Sequence, residues 1–361
     1  MSKSPHVMSS AYMQWAKGHV DVKYNLAASG VMNYPLSMLP VKVEELEITG
    51  SSFYGYPPLQ EALAYHCDVE TDQVFSALGT SFANHIAMAA LLEPGDEVLI
   101  EEPTYELLIS TAQYLRASVK RFPRRVENEF QIIPKDIQKV ISKKTKLIVI
   151  TNLHNPSSAL TDEKTLRHIV RIARSVKAHV LVDEVYLDAA CDQSPQSAIH
   201  FGKEFIVTSS LTKVYGLSGL RCGWVLAEPK LVKKMWFLND LFASIPPHPS
   251  ELLSVIALQH LDTIRKWSRS ILSKNQITLK ELFLTRKDIQ CFSPGFGTVV
   301  FPRLLKGKVD RLASILTQRY ETAIAPGRYF EMPRYFRVGF GSKPELFRTG
   351  LQNLCRALDE L

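Results

Sequence analysis

Short apolar segments alternate with helical patterns along the middle of the chain, from about residue 74 to residue 228. The segments are EVLIEE (97–102), TKLIVITNL (145–153), AHVLVDEV (178–185), EFIVTSS (204–210) and LRCGWVLAE (220–228). Because they are apolar throughout, they indicate strands that are buried on both faces, and the helices between them favour parallel pairing. The pattern predicts an α/β fold in which a mostly parallel sheet is sandwiched by helices. In the helical pattern at 161–176 we expect Thr161 to be the cap.

The pattern changes after residue 228. Long helical patterns, interrupted by SIPPHPS (244–250), run to about residue 285, and strand-like segments mixed with helices follow. The closing helix has an apolar stripe at Phe347, Leu351, Leu354 and Leu358. We therefore predict a large α/β domain over 51–269, including the start of the interdomain helix. Residues 1–50, with an N-terminal arm, and 270–361 are expected to form a smaller α+β domain.

Composition narrows the possible functions. The 361 residues are 46% hydrophobic and 22% charged, as in ordinary globular proteins, and no segment approaches 18 consecutive apolar residues. The net charge is +7, but Lys and Arg are scattered, so we expect no nucleic-acid or membrane partner and a cytoplasmic location. The five cysteines are dispersed and odd in number, which favours reduced thiols over disulfides or a metal site: Cys67, Cys191, Cys222, Cys291 and Cys355.

The stretch TSSLTKVYGLSGLRCGW (208–224) contains the most informative lysine. Lys213 follows Ser210 by three residues, which fits both a serine acyl-transfer enzyme and a lysine that binds pyridoxal 5′-phosphate as a Schiff base. The first interpretation needs a K(S/T)G element on a strand. Its nearest imitation, Arg348-Thr349-Gly350, falls in the closing helix. The sequence therefore favours the second interpretation.

Pyridoxal chemistry also needs particular groups at the carboxyl ends of strands, where ligands of parallel sheets gather. Asp183 follows one apolar segment and could keep a pyridine nitrogen protonated, while Tyr186 and Asn155 could hydrogen-bond the ring oxygen. Tyr105, after another segment, could stack on the ring. Taken singly, each of these residues fits a cap, a turn or a core position equally well. Their combination in one chain favours a pyridoxal site over these separate structural roles.

Anion-binding groups accompany them. The turn Gly79-Thr80-Ser81 opens a helix, whose free N–H groups suit a phosphate, and Ser210 and Arg221 flank Lys213 as further donors. Arg337, in YFRVGFG, is the candidate for the α-carboxylate of a substrate. The same chain would then bind a phosphorylated cofactor and a carboxylate substrate.

The chain resembles the class I/II aminotransferases, which are fold type I pyridoxal-phosphate enzymes. The matching segments are YGYPPLQEALA (54–64), LGTSFAN (78–84), EPGDEVLIEEPTY (93–105), NLHNPSS (152–158), VDEVY (182–186), SSLTKVYGLSGLRCGW (209–224) and FRVGF (336–340). The resemblance implies an aspartate-aminotransferase-like fold, with Lys213 as the Schiff-base lysine and catalytic proton shuttle. It also implies Asp183 and Tyr186 as its catalytic partners. The implied cofactor-binding residues are these three and Tyr54, Gly79, Thr80, Ser81, Tyr105, Asn155, Ser210 and Arg221. Gly30, Asn155 and Arg337 are implied as substrate-binding residues.

The resemblance further implies a homodimer with shared active sites, in which a tyrosine of one subunit reaches the phosphate of the other. Tyr54 is the nearest candidate, since Gly50 stands where the family commonly has that tyrosine. The expected reaction is a ping-pong exchange of an amino group between an amino acid and a 2-oxo acid.

Two other activities remain open. One is a pyridoxal-phosphate-dependent lyase, oxidase/hydroxylase or cyclase, as in the branch with capreomycidine synthase and arginine hydroxylases. That branch often has histidine after SGV, where Met32 stands here. The other is the cofactor-binding effector domain of a transcriptional regulator. Such a regulator needs a DNA-binding domain as well, but residues 1–50 contain no helix-turn-helix pattern.

Overall fold

The computed structural model describes residues 9–190 and 195–361. Its strands are β1 (Tyr24–Asn25), β2 (Val74–Leu78), β3 (Glu97–Glu102), β4 (Ser118–Pro123), β5 (Thr145–Thr151), β6 (His179–Asp183), β7 (Phe205–Ser210), β8 (Cys222–Leu226), β9 (Ile289–Gln290), β10 (Val299–Val300), β11 (Arg303–Leu304), β12 (Thr322–Ala323), β13 (Ala325–Pro326) and β14 (Phe336–Gly339). Its helices are α1 (Ala11–Lys17), α2 (Pro57–Cys67), α3 (Thr80–Leu91), α4 (Glu106–Tyr114), α5 (Pro134–Val140), α6 (Glu163–Val176), α7 (Pro229–Asn239), α8 (His248–Gln259), α9 (Leu261–Thr285), α10 (Val309–Tyr320) and α11 (Pro344–Asp359). Along these residues no helix is both long and apolar enough to cross a membrane.

Over the described residues, seven strands form the large sheet, in the spatial order β2-β8-β7-β6-β5-β3-β4. The pairs from β4 across to β7 are parallel. In contrast, β8 is antiparallel to both β7 and β2. Residues 211–221, which contain no α-helix, are too short a connection for a parallel crossover. The predicted α/β fold with a mostly parallel sheet is confirmed.

Both faces of the large sheet are buried. On β6, Leu181 belongs to a core shared with α3, α4 and α7, whereas Val180 and Val182 belong to the core on the opposite face, with α6. Successive residues of a strand point to opposite faces, so an apolar residue is needed at every position. This explains why the central strands lack polar alternation.

The cap predicted for α6 is wrong by one residue. Asp162, not Thr161, is the N-cap, and its carboxylate accepts a hydrogen bond from the Thr165 N–H at 2.7 Å. The Thr161 hydroxyl instead accepts from Arg124 Nη2 at 3.2 Å. A buried arginine thus competes for the side chain that local sequence assigns to the helix.

The C-terminal part pairs with the start of the described chain. β10, β14 and β13 form an antiparallel sheet, and β1 pairs in parallel with β12. The predicted apolar stripe of α11 is buried. Within β14, Arg337 lies opposite Ala325 of β13. The thiols of Cys67, Cys222, Cys291 and Cys355 are free, and Cys191 lies outside the described residues.

Candidate active site

A cavity of about 470 Å³ opens at the carboxyl ends of the parallel strands. β5 and β6 end in register, with Thr151 beside Asp183, and β7 carries Thr208 beside Asp183. Most of the predicted residues line this cavity: Gly30, Thr80, Ser81, Tyr105, Asn155, Asp183, Tyr186, Lys213 and Arg221. Residues far apart in the sequence are therefore brought to one place by the strand order.

Lys213 lies in the loop after β7 and faces the cavity. Its backbone carbonyl accepts a hydrogen bond from the Val31 N–H at 2.7 Å. A Cβ on Gly30 would lie 3.1 Å from that carbonyl oxygen, so glycine permits this close approach. Burial, and next the Arg337 guanidinium, lowers the pKa of the Lys213 amine to about 8, although Asp183 opposes the shift. An amine with this pKa can accept a proton near neutral pH.

Asp183 is the last residue of β6 and is almost completely buried. Its carboxylate accepts hydrogen bonds from Asn84 Nδ2 at 2.8 Å and from the Val185 N–H at 3.1 Å. Burial nevertheless raises the pKa of Asp183 to about 6. A positively charged ring in the cavity would offset the cost of this desolvation, because it would add a counter-charge to that of Lys213.

Asn84 was missed as a site residue, although it lies inside the LGTSFAN segment. Its amide oxygen accepts a hydrogen bond from the Thr208 hydroxyl at 2.6 Å, which orients its Nδ2 towards Asp183. The signal for it was its position on α3, one turn after Thr80.

An anion-binding corner lies at the start of α3. Gly79 has φ +83°, and a Cβ there would lie 2.4 Å from Arg221 Nη2. The Thr80 hydroxyl donates to Ser210 Oγ at 2.7 Å, and Arg221 Nη2 donates to the Leu78 carbonyl at 3.0 Å. The N–H groups of the first helical turn have no intrahelical partner. Helix start, hydroxyls and guanidinium together suit a phosphate dianion.

Arg337 is completely buried. Its Nη1 donates to Asn155 Oδ1 at 3.0 Å, and its Nη2 donates to the Tyr12 hydroxyl at 2.7 Å and to the Ala27 carbonyl at 3.0 Å. In the described part of the chain these partners are uncharged, and Nε has no partner. A buried guanidinium without a carboxylate is costly. The site therefore suits an anionic group supplied from outside the chain.

Two tyrosines complete the predicted set within the cavity. The Tyr186 hydroxyl donates to Ser29 Oγ at 2.8 Å, and burial raises the pKa of Tyr186 to about 12. Tyr105 is the N-cap residue of α4, and its ring meets that of Tyr12 edge-on at 5.5 Å. Both phenols are neutral donors under ordinary conditions.

Tyr54 differs from the other predicted residues. Its side chain is 54% exposed, its hydroxyl lies 3.5 Å from Asp240 Oδ2, and its ring meets Phe237 edge-on. It lies outside the wall of this chain's cavity. The role predicted for it concerns the cavity of a second subunit and stays a prediction.

The N-terminal helix α1 contributes a wall that sequence reasoning missed. Tyr12, Met13, Trp15 and Ala16 of α1, with His19 just after it, line the cavity. The available signal was the spacing of Tyr12, Trp15 and His19, which places three rings on one helical face. Among the described residues, which begin at residue 9, no strand precedes them, so an inspection of strand ends does not reach them.

The lysine, the carboxylate, the anion corner and the buried arginine meet the needs of one cofactor class. A phosphorylated pyridine aldehyde would place its phosphate at α3, its ring nitrogen by Asp183 and its aldehyde by Lys213. The fold and the site thus define a pyridoxal-phosphate type of enzyme.

Comparison with protein families gives the narrower identification. The family model described as aminotransferase class I and II matches residues 45–356. This match spans most of the chain, so the chain belongs to that family, and the resemblance inferred from its motifs is confirmed.

Curated relatives agree over nearly full length. Capreomycidine synthase of Streptomyces vinaceus is 28% identical over 365 residues, covering 96% of this chain and 94% of the relative. Aspartate aminotransferase of Pyrococcus horikoshii is 24% identical, covering 84% of this chain and 82% of the relative.

Solved structures show the same architecture. A pyridoxal-phosphate-dependent aminotransferase from Streptococcus suis superposes with a TM-score of 0.93 at 25% identity, covering 98% of each chain. The pyridoxal-phosphate-dependent cyclase OrfR has a TM-score of 0.89 at 23% identity, covering 100% of this chain and 98% of the cyclase, which is a likeness of fold. The chain is thus a pyridoxal-phosphate-dependent enzyme of the aminotransferase superfamily, and its cofactor is pyridoxal 5′-phosphate.

Proposed function

We propose that this enzyme is an aminotransferase that exchanges the amino group of an amino acid with a 2-oxo acid in a ping-pong reaction. The observation that carries the proposal is the completely buried Arg337, whose described partners are uncharged and whose Nε is unpaired. Arg337 adjoins the cavity through its hydrogen bonds to the lining residues Asn155 and Tyr12, and Lys213 and Asp183 line the same cavity. An amino acid would supply the missing carboxylate.

Each group has a defined task in this reaction. Arg337 binds the substrate carboxylate, and Asn155 and Gly30 border the same space. The Lys213 amine removes the α-proton of the substrate and returns it, which its lowered pKa permits. Asp183 holds a proton at the ring nitrogen. When bound, pyridoxal 5′-phosphate supplies an aldehyde and a ring that withdraws electrons from the α-carbon.

The remaining predicted residues bind the cofactor. Tyr186 and Asn155 would donate to its ring oxygen, the Tyr186 hydroxyl turning its proton away from Ser29 Oγ, and Tyr105 would pack against the ring. Gly79, Thr80, Ser81, Ser210 and Arg221 would bind the phosphate. The hydrogen bonds and close approaches already made among Thr80, Ser210, Gly79 and Arg221 support this assignment.

The test of the assignment is the Lys213→Ala variant. We expect it to lose both the visible absorbance of covalently attached cofactor and all conversion of amino acid. The control is Lys203→Ala, which changes an exposed lysine and leaves both unchanged. Covalent attachment and turnover in Lys213→Ala would refute the proposal.

A lyase, oxidase/hydroxylase or cyclase is the second candidate, because capreomycidine synthase is 28% identical over almost the whole chain. The two can be separated by supplying amino acid without a 2-oxo acid and recording oxygen. An aminotransferase stops after a single equivalent per site and consumes no oxygen. Continued turnover, or oxygen uptake, favours the second candidate.

We further propose a homodimer in which Tyr54 reaches the phosphate of the partner subunit. Tyr54 contacts Phe237 and Asp240, and exposed apolar side chains of these two segments support a surface that a partner covers: Phe53, Phe237, Leu241 and Phe242. Light scattering of the holoenzyme should give the dimer mass. In mixed dimers of Lys213→Ala and Tyr54→Ala subunits, activity should return, since one site per dimer retains both residues.

A further inference from the structure

The wall formed by α1 is held in place at several points. Ser10 caps the helix, its Oγ accepting from the Met13 N–H at 3.0 Å, and its hydroxyl donates to the Glu106 carboxylate on α4. The Tyr105 hydroxyl lies 3.5 Å from Met13 Sδ. After the helix, Asn25 Nδ2 donates to the His19 carbonyl at 3.1 Å. These contacts fix which side chains of α1 face the cavity.

The wall presents aromatic rings beside the carboxylate site. The rings of Trp15 and His19 lie 4.7 Å apart, and Trp15 lies 5.3 Å from Tyr329. The neighbouring Tyr12 hydroxyl contacts Arg337 at 2.7 Å. A substrate whose carboxylate is bound by Arg337 would therefore have this wall within reach of its side chain.

Charge is distributed unevenly in the cavity. Among the described lining residues, the charged groups are Asp183, Lys213 and Arg221. Arg337 lies behind the lining, where it donates to Asn155 and Tyr12. All four already have tasks towards the cofactor or the α-carboxylate. The α1 wall, from Tyr12 to His19, presents no Asp, Glu, Lys or Arg to the cavity. A second charge on the substrate would lose its hydration there without gaining a counter-ion from this wall.

We propose that the substrate amino acid has an uncharged, apolar or aromatic side chain that packs against Tyr12, Trp15 and His19. This inference rests on the proposed function, since it takes Arg337 as the carboxylate site. The rings of the α1 wall favour such a side chain, because contact with it buries apolar surface. An aromatic side chain can in addition stack on these rings edge-on or offset. Trp15 is then a specificity-determining residue.

The experiment uses the holoenzyme and α-methyl amino acids, which bind but have no α-proton to lose. Dissociation constants of α-methylphenylalanine, α-methylaspartate and α-methylarginine are measured from the cofactor absorbance. We expect the phenylalanine analogue to bind at least about tenfold more tightly than either charged analogue, which corresponds to about 1.4 kcal/mol. Half-reaction rates with phenylalanine, leucine, aspartate and arginine should follow the same order.

Variants of Trp15 test whether the preference for the phenylalanine analogue arises at the α1 wall. Trp15→Ala should weaken the phenylalanine analogue about tenfold and leave α-methylalanine, which does not reach the wall, nearly unchanged. Trp15→Leu keeps apolar surface and should give an intermediate value, which guards against a folding defect in Trp15→Ala. Tyr65→Ala, a change of a ring that is 92% exposed, is the matched control.

The outcomes separate this inference from the function on which it rests. Conversion that is fastest with aspartate or arginine would overturn the substrate class and leave the aminotransferase intact. Tight binding of the phenylalanine analogue, without amino-group exchange by any amino acid, would refute the aminotransferase and keep the apolar subsite. Failure of every analogue to bind would overturn both.

Discussion

The two walls of the cavity are built in different ways. The sheet-end wall carries Asp183 and Ser210 at the ends of buried strands. The backbone of Asp183 is paired with β5 and β7 on its two sides, and that of Ser210 is paired with β8. The α1 wall is a helix of seven residues, attached mainly by side chains such as Tyr12 on Arg337 and Ser10 on Glu106. Elements with few backbone ties open more readily than core strands. In the proposed function, the groups for chemistry therefore lie on this rigid sheet-end wall, and those for side-chain recognition lie on the α1 wall.

A buried ion pair lies beneath the rigid wall and is connected to it by hydrogen bonds. Arg124 Nη1 donates to Glu101 Oε2 at 2.8 Å, and both side chains are inaccessible to solvent. Glu101 Oε1 accepts from the Thr151 N–H at 2.7 Å, and Thr151 Oγ1 accepts from the Asn155 N–H at 3.0 Å. This chain of contacts ends at Arg337, through Asn155 Oδ1.

The largest expected effect is therefore that of Arg124→Met. It leaves Glu101 buried without its partner, so we expect a loss of about 3–5 kcal/mol in the free energy of unfolding. Denaturant unfolding of the cofactor-free protein measures it. The control is Arg125→Met, which breaks a partly exposed pair with Asp136 and should cost about 1 kcal/mol or less. Equal losses of unfolding free energy in the two variants would contradict the expected difference between the buried and the exposed ion pair.

Removing the carboxylate of the rigid wall should affect rate more than stability. In Asp183→Ala the ring nitrogen loses its counter-charge, and we expect the half-reaction rate to fall roughly 10²- to 10³-fold. Stopped-flow absorbance with a saturating amino acid measures this. Asp72→Ala, at an exposed site, should not change the rate. A loss of less than about tenfold in Asp183→Ala would remove Asp183 from the proposed machinery.

The same contrast explains what the sequence could predict. The central strands are apolar at every position because both faces are covered, so their ends, and Asp183, Asn155 and Lys213 with them, were found directly. Strand β4 was not predicted. It is an edge strand whose Lys120 and Arg121 keep contact with solvent, which breaks the apolar pattern.

Other features depend on tertiary contacts that no local pattern contains. Thr161 looked like a helix cap, but buried Arg124 takes its hydroxyl as an acceptor. Asn84 and Tyr12 acquire their positions only when α3 and α1 pack against Asp183 and Arg337. Sequence thus predicts residues placed by strands better than residues placed by packing.

The burial of Asp183 in the rigid wall predicts how the stability of the protein depends on pH. Burial raises the pKa of Asp183 from 3.8 to about 6, so the folded cofactor-free protein favours the protonated carboxyl. As pH rises from about 4 to about 6, the wild type should lose stability relative to Asp183→Asn, which does not titrate, by up to about 3 kcal/mol. Above about pH 6 the difference should be constant. Thermal unfolding at each pH measures it, and a difference independent of pH would contradict the burial argument.

The smallest effect is expected on the α1 wall, from Tyr12→Phe. The change removes the acceptor 2.7 Å from Arg337 Nη2, while the Ala27 carbonyl at 3.0 Å and the ring packing remain. One hydrogen bond that orients a charged group contributes about 0.5–1.5 kcal/mol, so KM for the amino acid should rise about two- to tenfold with kcat nearly unchanged.

Steady-state kinetics and the dissociation constant of α-methylphenylalanine measure the change, and Tyr329→Phe is the control. Its hydroxyl contacts Arg328 rather than Arg337. Tighter substrate binding in Tyr12→Phe would reverse the interpretation, because the Tyr12 hydroxyl would then compete with the substrate carboxylate for Arg337. In that case α1 would have to release Arg337 whenever substrate binds. Attachment by side chains, without a backbone ladder, would permit that release.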